Sequence, residues 1–243
     1  KASYTSGSDT FTGLTDAISL TAGPAAKYLV TVDVAGPVAG ATVTASAQLA
    51  DAQGNAVAES GRQVDWSETN LVDVGSFAAP GYSSTDGSGI ATIVFTSNTT
   101  SNVATAIVAT DHATVSITGT SGTVTTTWGA LHHFTKTAQY TTTASGVSKA
   151  SNITFEARDS NNNRVENFTG TVGLSVVTTA GGVTSDASIS GTTSVAFSAG
   201  SGTFNPTTIT GTVGSYKVKA SYTSGSDTFT GLTDAISLTA GPA

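Results

Sequence analysis

Apolar and polar residues alternate along most of this chain in short runs. "KYLVTVDV" (27–34) sets Tyr28, Val30 and Val32 on one side. "TVTASAQLAD" (42–51) sets Val43, Ala45, Ala47 and Leu49 on one face. "IATIVFTS" (90–97) divides into Ile90, Thr92, Val94 and Thr96 against Ala91, Ile93 and Phe95. "ITFEARD" (153–159) aligns Ile153, Phe155 and Ala157, "VGLSVV" follows at 172–177, and "SYKVKASYT" (215–223) aligns Tyr216, Val218, Ala220 and Tyr222. A period of two is the mark of a strand with one buried face. The runs are punctuated by "DAQGN", "TDGSG", "DSNNN", "TAGG", "SAGSG" and "TSGSD", clusters of turn-forming residues. No stretch places apolar residues at i, i+3, i+4 and i+7 as a helix would. Trp66, in "VDWSE", falls where an inward core residue is expected. The pattern predicts an all-β chain of antiparallel sandwiches.

Two repeats organise these strands. Residues 1–25 and 219–243 are the same sequence, "KASYTSGSDTFTGLTDAISLTAGPA", at an offset of 218. A weaker similarity relates 44–67 to 152–175 at an offset of 108, aligning Asp51 with Asp159, Asn55 with Asn163 and Val57 with Val165. The two offsets predict a repeating pair of domains in an elongated array: domain A over 26–127, domain B over 128–243, and residues 1–25 as the closing strands of a preceding B. Pro24 and Pro242 mark the B-to-A junctions. Trp128 marks the A-to-B junction, and Phe134 sits near the start of B as Tyr28 does in A. Packing between domains is expected at Trp128, Pro24, Pro242 and Phe134, and junctions this short predict a stiff rod.

The pieces Asp51-Ala52-Gln53-Gly54-Asn55, Gly61-Arg62-Gln63-Val64 and Thr85-Asp86-Gly87-Ser88-Gly89-Ile90-Ala91 resemble the bacterial immunoglobulin-like repeats of invasin- and intimin-type surface proteins. The likeness covers roughly residues 40–110. Domain B is similar more loosely, through "ARDSNNNRVENFTGTV", and lacks the T-D-x-x-G-x-A turn. The resemblance implies tandem immunoglobulin-like sandwiches serving as spacers in adhesins, stalks and surface layers.

Composition narrows the function classes. Charged residues are 10% of the chain, hydrophobic residues 38%, and the net charge is −7. Without clustered Lys and Arg, nucleic acid is not an expected partner, and no apolar run is long enough for membrane insertion. There is no Cys and no Met. Disulfides and thiolate metal sites are therefore excluded, and the chain reads as a processed product or a window on something longer. An acidic, Lys-poor, Thr/Ser/Gly/Ala-rich composition points to the cell surface or the extracellular space.

Candidate chemistry is sparse. Asp51, Asp159, Asn161 and Asn163 lie in oxygen-rich loops that superficially resemble calcium loops. Calcium wants six to eight oxygens, and the glutamate that completes an EF-hand is missing. Asp and Asn also cap their own turns, which is the leading reading, with calcium second. His132 and His133 are adjacent and would face opposite ways on a strand; His112 is the third His. Asp65 and Glu68 read as solvated carboxylates. No nucleophile elbow and no phosphate loop with a following Lys occurs, so no catalysis and no cofactor are expected. Asn98, Asn152 and Asn167 begin glycosylation sequons. The expected partners are copies of the chain itself, in tandem or head to tail. The expected role is a structural repeat unit of a filament, surface layer or adhesin stalk. A carbohydrate- or receptor-binding module, or an accessory domain of a secreted enzyme, is the alternative, and exposed clustered aromatics would favour it.

Overall fold

The structure is a computed structural model that describes residues 1–14, 16, 19–72 and 75–241. An N-terminal hairpin is built of β1 (Ala2–Ser6) and β2 (Asp9–Gly13). The next ten strands are β3 (Lys27–Val32), β4 (Thr42–Ala50), β5 (Gln63–Glu68), β6 (Ser76–Phe77), β7 (Tyr82–Ser84), β8 (Ile90–Thr96), β9 (Ala104–Thr105), β10 (Ile107–Asp111), β11 (Thr118–Thr120) and β12 (Val124–Thr125). The last twelve are β13 (His133–Ala138), β14 (Thr142–Ala144), β15 (Ser148–Lys149), β16 (Ile153–Arg158), β17 (Thr171–Thr178), β18 (Ala187–Gly191), β19 (Ser194–Ala196), β20 (Ser201–Phe204), β21 (Thr207–Gly211), β22 (Gly214–Ser224), β23 (Asp227–Leu232) and β24 (Ile236–Thr239). Among the described residues there is no helix.

Sandwich A packs the sheet β3-β4-β8-β6 against β11-β10-β5-β7. Its core holds the residues the alternation points inward: Tyr28, Val30, Ala45, Ala47, Leu49, Val64, Trp66, Ala91, Ile93, Phe95, Ile107 and Ala109. Burying a side chain the size of Phe95 contributes about 2–3 kcal/mol. Sandwich B sets the sheet β14-β24-β22-β17-β19, with β23 beside β22, against β13-β16-β20 and β15-β21-β18. Its core includes Ile153, Phe155, Ala157, Phe204, Ile209, Val218, Ile236 and Leu238. In both sandwiches the segment that follows the first strand pairs in parallel with the last segment. In A the amides of Thr125 and Thr127 donate to the carbonyls of Ala35 and Pro37, each at 2.8 Å. In B, β14 runs parallel to β24, Thr142 opposite Ser237 and Ala144 opposite Thr239.

The turns match where the sequences do. In A, Gly54 takes a left-handed φ of 91° in the Asp51 loop; in B the same place is held by Asn162 at 66°. Gly and Asn are the residues that adopt this conformation at least cost. The T-D-x-x-G-x-A turn of A has a counterpart in B after all. Ala199 and Gly200, with φ of 45° and 71°, make a two-residue hairpin turn. The Gly200 carbonyl then accepts from Ala157 N at 2.8 Å, as the Gly89 carbonyl accepts from Leu49 N at 2.9 Å. A Cβ at either glycine would strike a backbone oxygen, that of Val57 at 1.9 Å or Val165 at 2.4 Å.

Candidate functional site

The most elaborate polar arrangement lies where one unit of the chain meets the next. At the entry to B the turn Asp159–Asn163 folds its own carboxylate inward, leaving Asp159 1% exposed. Its Oδ1 accepts from the amides of Asn161 (2.9 Å) and Asn163 (2.8 Å). Its Oδ2 accepts from the Asn163 side-chain amide at 3.1 Å and from the amide of Gly129 at 2.8 Å. The last of these fastens the connecting segment to the loop. The loop then reaches across to A. Asn161 Nδ2 donates to the Ala39 carbonyl at 2.7 Å and Asn163 Nδ2 to the Thr99 carbonyl at 2.8 Å, while Asn163 Oδ1 accepts from Ser101 N at 2.9 Å. Gly40 leaves the room: a Cβ there would lie 3.3 Å from Asn161 Nδ2.

The entry to A is built the same way. Asp51 is 2% exposed. Its Oδ1 accepts from the amides of Gln53 (3.0 Å) and Asn55 (2.8 Å), and its Oδ2 from Asn55 Nδ2 and Gly23 N, both at 2.9 Å. Gly23 thus plays in one junction the part of Gly129 in the other. The side-chain amide of Asn55, followed by the amide of Gly23, holds the Asp51 pKa down to about 2. Burial pushes the Asp159 carboxyl up, but the amides of Gly129 and Asn163 outweigh it and keep it below the ordinary range.

These contacts redefine the candidate calcium loops. Around each carboxylate stand N–H donors, where a cation would need further oxygens. Asn161 and Asn163 spend their side chains on A. Among the described residues no group of three His or acidic side chains is placed to hold a metal.

The expected interdomain residues divide. Trp128 precedes the clamped Gly129 and packs on the edge of the B core, its Nε1 donating to Asn167 Oδ1 at 3.1 Å. Pro24 follows the clamped Gly23 and is exposed. Phe134 is not at the contact: it is 3% exposed, inside B, against Phe168 and Phe197. It lies opposite Ala157 in the register, as Tyr28 lies opposite Leu49, so it serves the core. Pro242 lies outside the described residues. His132 and His133 meet edge to face with their Nδ1 atoms 3.2 Å apart, because His132 precedes the strand, while His112 pairs with Asp65 at 2.8 Å. Glu68 accepts from Gly75 N at 2.7 Å. Beside the junction, Trp128, Leu131, Asn167, Phe168, Gly170 and Tyr222 line a groove of about 500 Å³.

The N-terminal hairpin is the second feature. It repeats the register of the β22–β23 hairpin residue for residue: Ala2 opposite Gly13 to Ser6 opposite Asp9, against Ala220 opposite Gly231 to Ser224 opposite Asp227. The surroundings differ. Tyr4 is 68% exposed, Phe11 61%, Leu14 82% and Leu20 92%, whereas Leu238, the counterpart of Leu20, is 1% exposed.

No protein-family model matches the sequence, and no curated protein does. Solved structures do. The chain is similar over 92% of its length to FdeC, an Escherichia coli adhesin, at 19% identity and a TM-score of 0.52, covering 67% of that chain. The fold is that of bacterial immunoglobulin-like adhesin domains. Invasin, a bacterial integrin-binding protein, is similar over 87% of the chain at 18% identity with a TM-score of 0.47, and the chain spans 39% of it. The Yersinia pseudotuberculosis adhesin InvE is similar over 87% at 15% identity with a TM-score of 0.40, and the chain spans 58% of it. The Asp-led loops follow β4 in A and β16 in B, the strand that pairs with the first strand of each sandwich, and the glycine clamps join that turn to the incoming linker.

The clamp glycines escape a reading of sequence alone. A signal for them exists: Gly23 and Gly129 each stand a few residues before a first strand and about thirty before an Asp-led turn.

Proposed function

We propose that this chain is one period of an extracellular structural array, A followed by B, acting as a spacer and assembly module at the cell surface. Residues 1–25 are on this reading the closing strands of a preceding B. The observation that carries it is the double use of one junction: Gly23 with Asp51, and Gly129 with Asp159, enter successive sandwiches through the same four-donor carboxylate. A device repeated at each entry fixes the angle between neighbours, so length grows with the number of periods. The likeness of fold to an adhesin supports a surface location. The function is geometric and calls for no reaction and no cofactor.

Small-angle scattering on residues 1–243 tests this. The longest strand among the described residues has 11 residues, or about 36 Å at about 3.3 Å per residue, so two sandwiches end to end extend about 70–80 Å before the hairpin is added. A maximum dimension at or above that length supports the rod. A compact particle with A and B side by side would refute it.

The aromatic groove at Trp128, Phe168 and Tyr222 favours a second reading, a carbohydrate-binding module. Specific binding on a glycan array, lost in Trp128→Ala, would bring that reading forward.

A further inference from the structure

The groove beside the A–B junction contains its own candidate for an attached group. Asn167, Phe168 and Thr169 form a sequon, and all three line the groove together with Trp128, Leu131 and Tyr222. The chain has three such acceptors for N-linked sugar, and their surroundings separate them. Asn98 is half-buried in the A–B clasp. The Thr99 carbonyl of its sequon accepts from Asn163 Nδ2 at 2.8 Å, and the Thr100 carbonyl from the Thr126 hydroxyl at 2.7 Å. Asn152 Oδ1 accepts from Asn205 Nδ2 at 2.8 Å. The hydroxyl of that sequon, on Thr154 in β16, lies 3.1 Å from the Thr203 hydroxyl of β20 and is spent on it.

The third acceptor is open. Phe168 N donates to the Val165 carbonyl at 3.0 Å, which closes a turn and leaves Asn167 and Thr169 exposed. Asn167 Oδ1 accepts from Trp128 Nε1 at 3.1 Å. Among the described residues no hydrogen bond holds Asn167 Nδ2 or the Thr169 hydroxyl. The carboxamide is thus fixed by its oxygen to an indole, with its nitrogen free beside aromatic rings. Phe168 and Tyr222 meet there edge to face, their centroids 5.0 Å apart. At about 500 Å³ the groove has the size of a small-ligand site. Trp and Tyr present an apolar ring face and a polar edge, which suits the C–H face and the hydroxyls of a pyranose.

We propose that Asn167 carries an N-linked glycan whose first sugar seats in this groove against Trp128 and Tyr222. The donor is a sugar joined through phosphate to a lipid, used by a glycosyltransferase. Asn167 Nδ2 bonds to the anomeric carbon and gives up a proton. The bond from that carbon to the phosphate oxygen breaks, and the lipid phosphate leaves with the electron pair. The groove then holds the chain's own sugar, whereas a carbohydrate-binding module needs it empty. The proposal does not depend on the array reading, but it places the sugar against the A–B junction.

Trypsin separates the three acceptors. The Lys and Arg positions put Asn98 in 63–136, Asn152 in 150–158 and Asn167 in 165–217. Mass spectrometry of the protein taken from its source should find 165–217 heavier by one or more sugar residues, and the other two peptides at the mass of their sequence. An unmodified 165–217 overturns the proposal. The seat is read separately, by acrylamide quenching of Trp fluorescence. Trp66, the only other Trp, is 7% exposed and contributes little to quenching. Thr169→Ala made in the same host removes the sequon and keeps Asn167 on Trp128. The glycosylated chain should be quenched less than this variant. Equal quenching, with 165–217 glycosylated, puts the sugar in solvent and overturns the seat.

Discussion

Removing the carboxylate of Asp159 should cost sandwich B a large share of its stability. Asp159→Ala strips the acceptor from four donors, Gly129 N, Asn161 N, Asn163 N and Asn163 Nδ2, that stand 2.8–3.1 Å from it. Two of them are on residues that water can reach, since Gly129 is half-buried and Asn161 exposed, and these recover most of their loss. The other two belong to Asn163, which is 8% exposed. A hydrogen bond to a charged group contributes about 1.5–3 kcal/mol, and a buried donor left unpaired costs about as much. The expected loss is therefore about 3–4 kcal/mol. For a domain a little over 100 residues long, that lowers the melting temperature by about 12–15 °C. Calorimetry on the full chain reads it as the B transition separating downward from that of A. Asp86→Ala is the control: its carboxylate also accepts two amides, Ser88 N and Ile90 N, but in an exposed turn where water replaces it, so a much smaller drop in melting temperature is expected. If Asp159→Ala and Asp86→Ala move the melting temperature equally, the clamp is not what holds the entry to B.

Three more outcomes follow from the geometry. Gly231→Ala should destabilise B by about 2–3 kcal/mol through collision with the Phe134 carbonyl, while Gly13→Ala, the same change in the same local sequence, should stay within about 0.5 kcal/mol; equal effects in urea unfolding would contradict the packing. Asp51 has its pKa lowered from 3.8 to about 2 in the folded state, so its contribution is complete above the unfolded value and is lost as pH falls through the folded one; unfolding of A followed from pH 5 to 2 should weaken between about 4 and 2, and less so in Asp51→Asn. Asn161→Ala removes the 2.7 Å bond to the Ala39 carbonyl from an exposed side chain; both sandwiches should keep their stability within about 0.5 kcal/mol while spin-label distances across the junction broaden, and an unchanged distribution would count against a clasp.

Much of the fold was legible because burial imposes a period of two on a strand. Val43, Ala45, Ala47 and Leu49, or Ile153, Phe155 and Ala157, are all buried as the alternation requires. Trp66, 7% exposed, is a core residue as its position suggests. The junction was not legible in the same way. "DAQGN" and "DSNNN" are readable as turns from local hydrogen-bonding habit, but the carbonyls of Ala39 and Thr99 that Asn161 and Asn163 reach lie 122 and 64 residues away. No local pattern encodes that distance. Phe134 looked like a junction residue because it is near one in sequence; its register opposite Ala157 places it in the core. The "SAGSG" turn of B was legible as a turn but not as the counterpart of the T-D-x-x-G-x-A turn, because Ala199–Gly200 does with two residues what A does with a longer motif.

The parallel pairing of the last segment with the stretch after the first strand has a mechanical consequence. Tension along a chain of such domains pulls the N-terminal segment of a sandwich, Ala35–Pro37 in A and β14 in B, one way and the last segment the other. Antiparallel neighbours loaded from one end unzip a bond at a time. Parallel ones loaded from opposite ends must slide, so their bonds share the load and yield together. In A these are the amides of Thr125 and Thr127 on the carbonyls of Ala35 and Pro37, and in B those of Ser237 and Ser145 on the carbonyls of Thr141 and Thr239. Each sandwich is thus wired to resist shear along the axis on which the array would be pulled.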